Sequence, residues 1–448
     1  MRRPDGEPAT RRRDCKLERM HSAGARSFGL LAAMATIVAL AVAPGCSTGR
    51  TEGPASVDAP QVANAVAAPS NTGPSADAAA PIAPTDDAGK GDDAERDAGA
   101  TADAGADAGA PADAGLPTDA GVPVPVAPFH IVGRIDTRDA AGPRFGWPAV
   151  EVRARFSGAS LSVTLQDTGT SYYDVSVDGS TTTPLLVTGG AQSYAVATGL
   201  AQGEHDLVLT RRTETTTGVT QLLGFTGVLV PTPAPSGRRI ELVGDSITCG
   251  FGVLGADQSC LFSPSTEDEP LAWGAVAARE LGALHMVTAV SGLGVIVNYG
   301  GSTTNTMPEH YDRSLADDTS SSWDHHAFEP DAIVVDLGTN DFYAGDPGPA
   351  FQPAYTSFLA TLRARHAQAH IVAATSPMLS GGDHTKLAAY VAGAVAARQA
   401  AGDANVSWID IDVQSAADGY GCAWHPSVTT QQKMAGALVA HLKPTMGW

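Results

Sequence analysis

A serine follows an apolar segment in residues 240–248, which read IELVGDSIT. An apolar run, then Gly-Asp-Ser, then a helix-compatible stretch is typical of a strand, a turn and a helix. In an open α/β sheet, ligands bind beyond the carboxyl ends of the strands, and N–H groups at a helix start suit a developing oxyanion. Ser246 is therefore a candidate nucleophile and Asp245 a brace for the turn. Taken alone, the same residues also fit a turn with a helix cap.

Three further positions offer the other groups that acyl transfer on a serine requires. The serine proton needs a base, and the oxyanion needs hydrogen-bond donors. His425, in a loop before the last predicted helix, is the candidate base. The backbone N–H groups of Ser246 and Gly292 and the side-chain amide of Asn340 are the candidate donors. Each position alone fits a structural interpretation, but four such coincidences at one rim favour an active site.

The elements that would position these residues alternate between strand and helix from residue 238 to residue 448. This pattern predicts one α/β domain, in which helices cover both faces of a parallel sheet. The predicted strands are 240–243, 285–290, 332–336, 370–374 and 407–411. The predicted helices are 271–282, 354–366, 386–400 and 430–441.

Residues 129–232 read differently, because apolar and polar residues alternate there with no helical period. That pattern predicts a small all-β sandwich, and Asp178-Gly179 is a tight-turn signal. The region has no obvious aromatic row, so we expect it to pack against and shape the α/β domain rather than to bind ligand. The predicted strands are 150–156, 161–165, 173–177, 184–187, 193–196, 205–210 and 221–229, and a Pro-rich linker follows at 231–237.

The N-terminus predicts export. Residues 1–45 combine a basic segment with a short apolar run and end in small residues before Cys46, as a bacterial lipoprotein signal does. Cys46 is the lipidation candidate, although Ala43 stands where that signal usually has Leu. The alternative is ordinary secretion with a free Cys46. We therefore expect either a cell-envelope lipoprotein, whose only membrane contact is its lipid anchor, or a secreted protein.

Residues 46–128 are dominated by Ala, Pro, Asp and Gly and repeat Asp-Ala-Gly irregularly. Such a segment cannot bury enough apolar surface to fold, so we interpret it as a disordered tether. Residues 47–128 hold 13 acids and three bases, a charge of −10 that is half of the whole-chain −20. The acidity therefore reflects a solvated spacer. Nothing in it indicates a nucleic-acid partner, and a tethered monomer is expected.

Three cysteines fall in the predicted folded regions, namely Cys249, Cys260 and Cys422. In an exported protein two of them can pair. The pair Cys249–Cys260 is preferred, with Cys422 as an odd thiol or as the alternative partner. No Cys-x-x-Cys is present, and His325-His326 lack ligand spacing, so neither a metal nor a cofactor is expected.

These blocks resemble the SGNH (GDSL-type) hydrolase superfamily. The matching residues occur in the expected order and are Gly244-Asp245-Ser246, Ser291-Gly292, Gly338-Thr339-Asn340-Asp341 and His425. The preceding β-sandwich and the string Trp424-His425-Pro426-Ser427 narrow the resemblance to carbohydrate esterase family 2. That resemblance implies a jelly-roll sandwich ahead of a three-layer α/β/α domain. It also implies removal of O-acetyl groups from an acetylated polysaccharide or oligosaccharide, such as xylan or glucomannan.

One position departs from the superfamily pattern. Many of its members carry an acid three residues before the histidine, and here that residue is Cys422. Some family 2 esterases use a Ser-His dyad, in which a main-chain carbonyl orients the imidazole, and this is the arrangement expected here. Asp418 is the alternative acid. Trp424 is either a platform for a sugar ring or a core residue, and Tyr299 and Trp273 are expected to pack internally.

The blocks predict the chemistry but leave the acyl group and the substrate open. Another esterase on the same fold is an alternative: a lipase, a thioesterase or a peptidoglycan O-acetylesterase. A second alternative is a non-catalytic surface lipoprotein that binds carbohydrate. A polysaccharide deacetylase should strongly prefer acetyl over longer acyl chains, which separates it from another esterase on this fold. Glycan binding without ester cleavage would indicate the non-catalytic lipoprotein.

Overall fold

The computed structural model describes residues 127–448. The predicted signal segment, Cys46 and all but the last two residues of the predicted tether lie outside the described residues. Between residues 127 and 448, no helix is both long and apolar enough to cross a membrane.

The N-terminal part of the described chain is a six-stranded antiparallel sheet curled around its own core. Its longest strand pairs with four of the other five, and register shifts along its ladders let it bend. Asp178 and Gly179 both have positive φ, as the predicted tight turn requires. The strands are β1 (Phe129–Val132), β2 (Arg144–Phe145), β3 (Glu151–Val177), β4 (Thr183–Ala197), β5 (Glu204–Arg211) and β6 (Thr220–Val230).

The C-terminal part is a five-stranded, all-parallel sheet in the order β11-β10-β9-β7-β8. Its strands are β7 (Arg238–Gly244), β8 (Ala283–Ala289), β9 (Ala332–Asp336), β10 (His370–Ala374) and β11 (Val406–Ile409). Its helices are α1 (Ser246–Cys249), α2 (Trp273–Glu280), α3 (Met307–His310), α4 (Phe351–Arg365), α5 (Gly381–Ala400) and α6 (Val428–Met446).

Successive strand residues face opposite helix layers, which is why each strand is apolar throughout. On one face, Val335 and Ile371 belong to the core that holds Phe358 of α4. On the other face, Val334 and Val372 pack in the core that holds Leu438 of α6. The three-layer α/β/α domain after a jelly-roll sandwich confirms the predicted fold class.

The two parts of the described chain meet at a buried polar junction. Arg134, in the loop after β1, donates to Oε1 of Glu241 on β7 at 2.8 Å, and both side chains are fully buried. The Tyr311 hydroxyl donates to the other oxygen of Glu241 at 2.9 Å. Trp147 donates its indole N–H to the Ser314 carbonyl at 2.9 Å. The N-terminal sheet therefore packs against the α/β domain, as its composition indicates.

Candidate active site

Ser246 stands at the turn between β7 and α1. The Asp245 carboxylate accepts the Ile247 N–H at 3.0 Å, which caps the helix. Residue 244 must be glycine, because a Cβ there would lie 2.2 Å from Thr248 Oγ1. The helix is only four residues long, so its macrodipole contributes little, and individual N–H groups are what the turn offers. The serine hydroxyl is thereby held at the carboxyl edge of the sheet.

The structure brings His425 to this hydroxyl. Ser246 Oγ donates to His425 Nε2 at 2.8 Å, across 179 residues of sequence. On the other side of the ring, Nδ1 lies 3.2 Å from the carbonyl oxygens of both Cys422 and Ala423. A hydrogen on Nδ1, donated to these carbonyls, leaves Nε2 free to accept the serine proton.

Main-chain carbonyls, rather than Asp418, therefore face the imidazole. The Asp418 carboxylate is paired with the Lys433 ammonium at 2.7 Å. Within residues 127–448, no carboxylate hydrogen-bonds the His425 ring. Ala423 and Trp424 adopt positive φ values of 50° and 66°, an unfavourable backbone for non-glycine residues. This tight turn is what aims two carbonyls at one ring nitrogen.

The environment of His425 keeps its imidazole neutral. Burial lowers the pKa of His425 to about 4, because its ring packs on Phe251, with ring centroids 4.2 Å apart, and loses solvation of the charged form. The backbone carbonyls at Nδ1 offset part of this effect. At neutral pH the ring is thus an unprotonated base in contact with a serine hydroxyl.

Two backbone N–H groups that follow β7 and β8 at the carboxyl edge of the sheet have no acceptor in the described chain. Within the described chain, neither Ser246 N–H nor Gly292 N–H donates a hydrogen bond. Gly292 follows β8 with φ of 84°, a conformation that favours glycine over any residue with a side chain. Both groups are therefore free to donate a hydrogen bond, as the donors of an oxyanion hole must be.

Asn340 lies beside the same site but is already engaged. Its Nδ2 donates to Asp245 Oδ2 at 3.0 Å and to the Leu293 carbonyl at 2.9 Å. Both amide hydrogens are therefore used, and Asn340 can donate to an oxyanion only by sharing one of them. Burial raises the pKa of Asp245 to about 7, and its contacts with Ile247 and Asn340 fit the predicted bracing function.

Asp341 has a function that the sequence did not indicate. Its carboxylate accepts the N–H groups of Val295, Ile296 and Val297 at 2.7–3.1 Å. It therefore secures the loop that carries Gly292. Its place in the Gly-Thr-Asn-Asp block was the only available signal.

The predicted disulfide Cys249–Cys260 is wrong. Cys260 pairs with Cys422, and their Cα atoms are 4.7 Å apart. Cys249 is instead a free, buried thiol in α1. The bond joins the loop after the nucleophile to the turn that orients His425, and it excludes an acid at position 422.

Exposed aromatic rings lie on the same loops as the reactive groups. Trp424, adjacent to His425, is 52% exposed, and its ring lies 5.0 Å from that of Tyr420. Tyr299, whose N–H donates to the Gly292 carbonyl, is 59% exposed and contacts the Tyr343 ring at 5.8 Å. Internal packing is thus wrong for Tyr299 and right for Trp273, which is buried.

Two protein-family models match the chain, one over each of the two predicted domains. Residues 131–233 match the carbohydrate esterase 2 N-terminal model. Residues 242–433 match the GDSL-like lipase/acylhydrolase family.

Known proteins resemble the chain across both matched regions. The cellulase/esterase CelE of Acetivibrio thermocellus is 35% identical over 320 residues, which are 70% of this chain but only 39% of that protein. An acetylxylan esterase / glucomannan deacetylase of Cellvibrio japonicus is 30% identical over 71% of this chain and 89% of its own length. A solved family two carbohydrate esterase from Clostridium thermocellum, in complex with cellohexaose, is 35% identical with a TM-score of 0.69, covering 71% of this chain and 99% of that one. The chain therefore belongs to carbohydrate esterase family 2.

Proposed function

We propose that this protein is a serine esterase that removes O-acetyl groups from a polysaccharide or oligosaccharide of the xylan or glucomannan type. The observation that carries the proposal is the 2.8 Å contact between Ser246 Oγ and a neutral His425. The unpaired N–H groups of Ser246 and Gly292 support it. The names of the related proteins, among them an acetylxylan esterase / glucomannan deacetylase, support the acetylated substrate.

The reaction follows from the geometry in two halves. Ser246 Oγ attacks the acetyl carbonyl carbon while its proton passes to His425 Nε2, and the Ser246 and Gly292 N–H groups hold the oxyanion. Asn340 adds a third donor when its hydrogen bond to the Leu293 carbonyl is shared. The ester C–O bond then breaks, the sugar oxygen takes the proton from His425, and the acetyl group stays on Ser246.

In the second half, water replaces the sugar. His425 removes a proton from a water molecule that attacks the acetyl carbonyl, the same donors stabilise the oxyanion, and the bond to Ser246 Oγ breaks. Ser246 recovers the proton from His425 and acetate departs. The Cys422 and Ala423 carbonyls hold the Nδ1 hydrogen throughout, which fixes the tautomer without an acid.

The test is acetate release from acetylated xylan and acetylated glucomannan, together with hydrolysis of 4-nitrophenyl esters of two to eight carbons. The protein is compared with its Ser246→Ala variant, which retains the backbone of the turn. Serine-dependent release of acetate, with much slower hydrolysis of longer chains, is expected. Efficient hydrolysis of long chains would indicate a lipase or thioesterase, acetate release from peptidoglycan alone would indicate the peptidoglycan esterase, and glycan binding without cleavage would contradict catalysis.

We also propose export with a lipid anchor at Cys46. A disulfide between Cys260 and Cys422 suits an oxidising compartment, and the preceding acidic segment suits a spacer. The test is the distribution of the protein between membrane and soluble fractions, beside a Cys46→Ala variant. If the wild type and Cys46→Ala distribute in the same way between the fractions, Cys46 carries no anchor and secretion is the remaining interpretation.

A further inference from the structure

A loop of the N-terminal sheet reaches the active-site side of the α/β domain. Glu214 follows β5 and is fully buried. Its Oε2 accepts the backbone N–H of Ser291 at 2.8 Å. Ser291 directly precedes Gly292, whose N–H is one of the two open donors. A side chain from one domain therefore determines the orientation of a peptide in the other.

The same loop is held on its opposite side by the segment that follows the nucleophile. The Glu214 N–H donates to Glu267 Oε2 at 3.2 Å, and Arg212 pairs with Asp268 at 2.8 Å. The Asp268 N–H in turn donates to the carbonyl of Gly250, the residue after α1, at 3.2 Å. Glu214 thus lies between the Gly292 loop and the Ser246 turn.

The two glutamates form a buried acidic pair. Oε1 of Glu214 and Oε1 of Glu267 are both buried without a hydrogen-bond partner. One carboxylate oxygen of each lies within 4.8 Å of the other and of Cys249 Sγ. Burial raises the pKa of Glu214 and raises that of Glu267 well above its usual range. Two adjacent buried carboxyls cannot both ionise, so they share one proton. Each carboxyl accepts one backbone N–H, and the pKa of Glu267 is raised further than that of Glu214, which favours the proton on Glu267.

We propose that Glu214 is a positioning residue for the oxyanion hole, so that the N-terminal domain completes the active site through its bond to Ser291. This inference rests on the proposed esterase activity. With the Ser291 peptide fixed, the next N–H, that of Gly292, is presented to the oxyanion before the substrate arrives. Preorganised donors act mainly in the transition state. Loss of Glu214 should therefore lower kcat and leave KM nearly unchanged.

The experiment compares four full-length variants on 4-nitrophenyl acetate. Glu214→Ala, which removes the acceptor, is expected to lower kcat by about 10- to 100-fold with KM changed by less than about twofold. Glu214→Gln keeps an acceptor oxygen and should restore kcat to within roughly fivefold of wild type. Glu267→Gln imitates the protonated acid and should be nearly silent, as should the control Glu204→Ala, because Glu204 is exposed on the same domain. Wild-type kcat in Glu214→Ala would overturn the proposal.

A second readout separates positioning from general destabilisation and does not require activity. Hydrogen exchange of the peptide that contains Ser291 and Gly292 should accelerate in Glu214→Ala and not in Glu214→Gln. Acceleration spread evenly over the protein would overturn the positioning role. If the wild type hydrolyses no ester, the exchange result still reports on Glu214 while the proposed function fails. If the wild type binds one metal ion per chain and Glu267→Gln binds none, a cation rather than a proton neutralises the acidic pair. That result would overturn the protonation argued for Glu267.

Discussion

At the scale of single residues, the decisive contact is a serine hydroxyl facing a histidine that burial keeps neutral. Catalysis needs the unprotonated imidazole, and a buried ring binds a proton less readily than an exposed one. The carbonyls at Nδ1 orient the ring without adding a charge that would raise the pKa. The dyad thus keeps the ring oriented while the pKa of His425 is lowered to about 4. An Asp or Glu carboxylate in place of the carbonyls at Nδ1 would raise that pKa.

This environment predicts how activity depends on pH. Because the pKa of His425 is lowered to about 4, kcat/KM for acetyl esters should stay level as the pH falls from 7 toward 5. It should reach half of its maximum near pH 4. An enzyme whose histidine has an ordinary pKa of about 6.5 would reach half-maximum about 2.5 pH units higher. The measurement is initial rate against pH at substrate concentrations far below KM, with circular dichroism to confirm folding. A midpoint between pH 6 and 7 would contradict it.

Trp424 offers a residue-scale prediction about substrate. Its exposed ring next to His425 can stack on a sugar face, so Trp424→Ala should raise KM for acetylated polysaccharide roughly three- to tenfold. The rate on 4-nitrophenyl acetate, which lacks the sugar, should change by less than about twofold. Trp424→Phe retains a ring and is the matched control. An equal loss on both substrates would show that the ring supports the turn rather than the glycan.

At the scale of elements, the disulfide is one of the contacts that hold the turn around His425. The turn includes two consecutive residues with positive φ, a conformation that persists only when neighbouring contacts enforce it. The bond from Cys422 to Cys260 and the Cys422 N–H donated to the Gly252 carbonyl at 2.9 Å supply such contacts. The sequence offered Cys422 only as the alternative partner, because 162 residues separate it from Cys260 while Cys249 is close in sequence.

Replacing the disulfide should therefore affect both stability and rate. In Cys260→Ser/Cys422→Ser we expect the free energy of unfolding to fall by about 2–4 kcal/mol. We also expect kcat to fall, because the carbonyls at Nδ1 are no longer fixed. Urea unfolding and acetyl ester kinetics measure the two effects. Cys249→Ala, which leaves the bond intact, is the control. Unchanged kcat in the double variant would show that backbone contacts alone hold the turn.

The bounds of some helices and strands could be predicted from the sequence, and those of others could not. β9 and β10 begin and end at the predicted residues, because each is a short apolar run with clear breaks. α5 begins at Gly381 rather than at 386, since its paired glycines resemble a loop. Three predicted strands are parts of the single strand β3, because its bulges resemble turns in sequence. Ser246 and His425 were predicted together, whereas Glu214 was not, because its contact with Ser291 exists only between domains.

At the scale of the whole described molecule, the two domains depend on a buried ion pair. Arg134 is enclosed by the Trp147, Tyr311 and Trp323 rings, with its guanidinium carbon 4.9–5.6 Å from their centroids. Its partner Glu241 also accepts from Thr288 Oγ1 at 2.9 Å. A buried pair of this kind adds little net stability when intact, but removal of one member leaves an uncompensated charge.

Arg134→Ala should therefore destabilise the protein by about 3–5 kcal/mol, mostly because Glu241 would remain buried on β7 without its cation. β7 leads directly to Ser246, so the loss should reach both domains and lower the urea midpoint of activity together with that of fluorescence. The double variant Arg134→Met/Glu241→Gln removes both charges and should recover most of the stability. Its failure to do so would mean that the aromatic enclosure of Arg134, rather than charge compensation, holds the domains together. Two separate unfolding transitions in the wild type would contradict the coupling itself, since a shared buried pair must break whenever either domain unfolds.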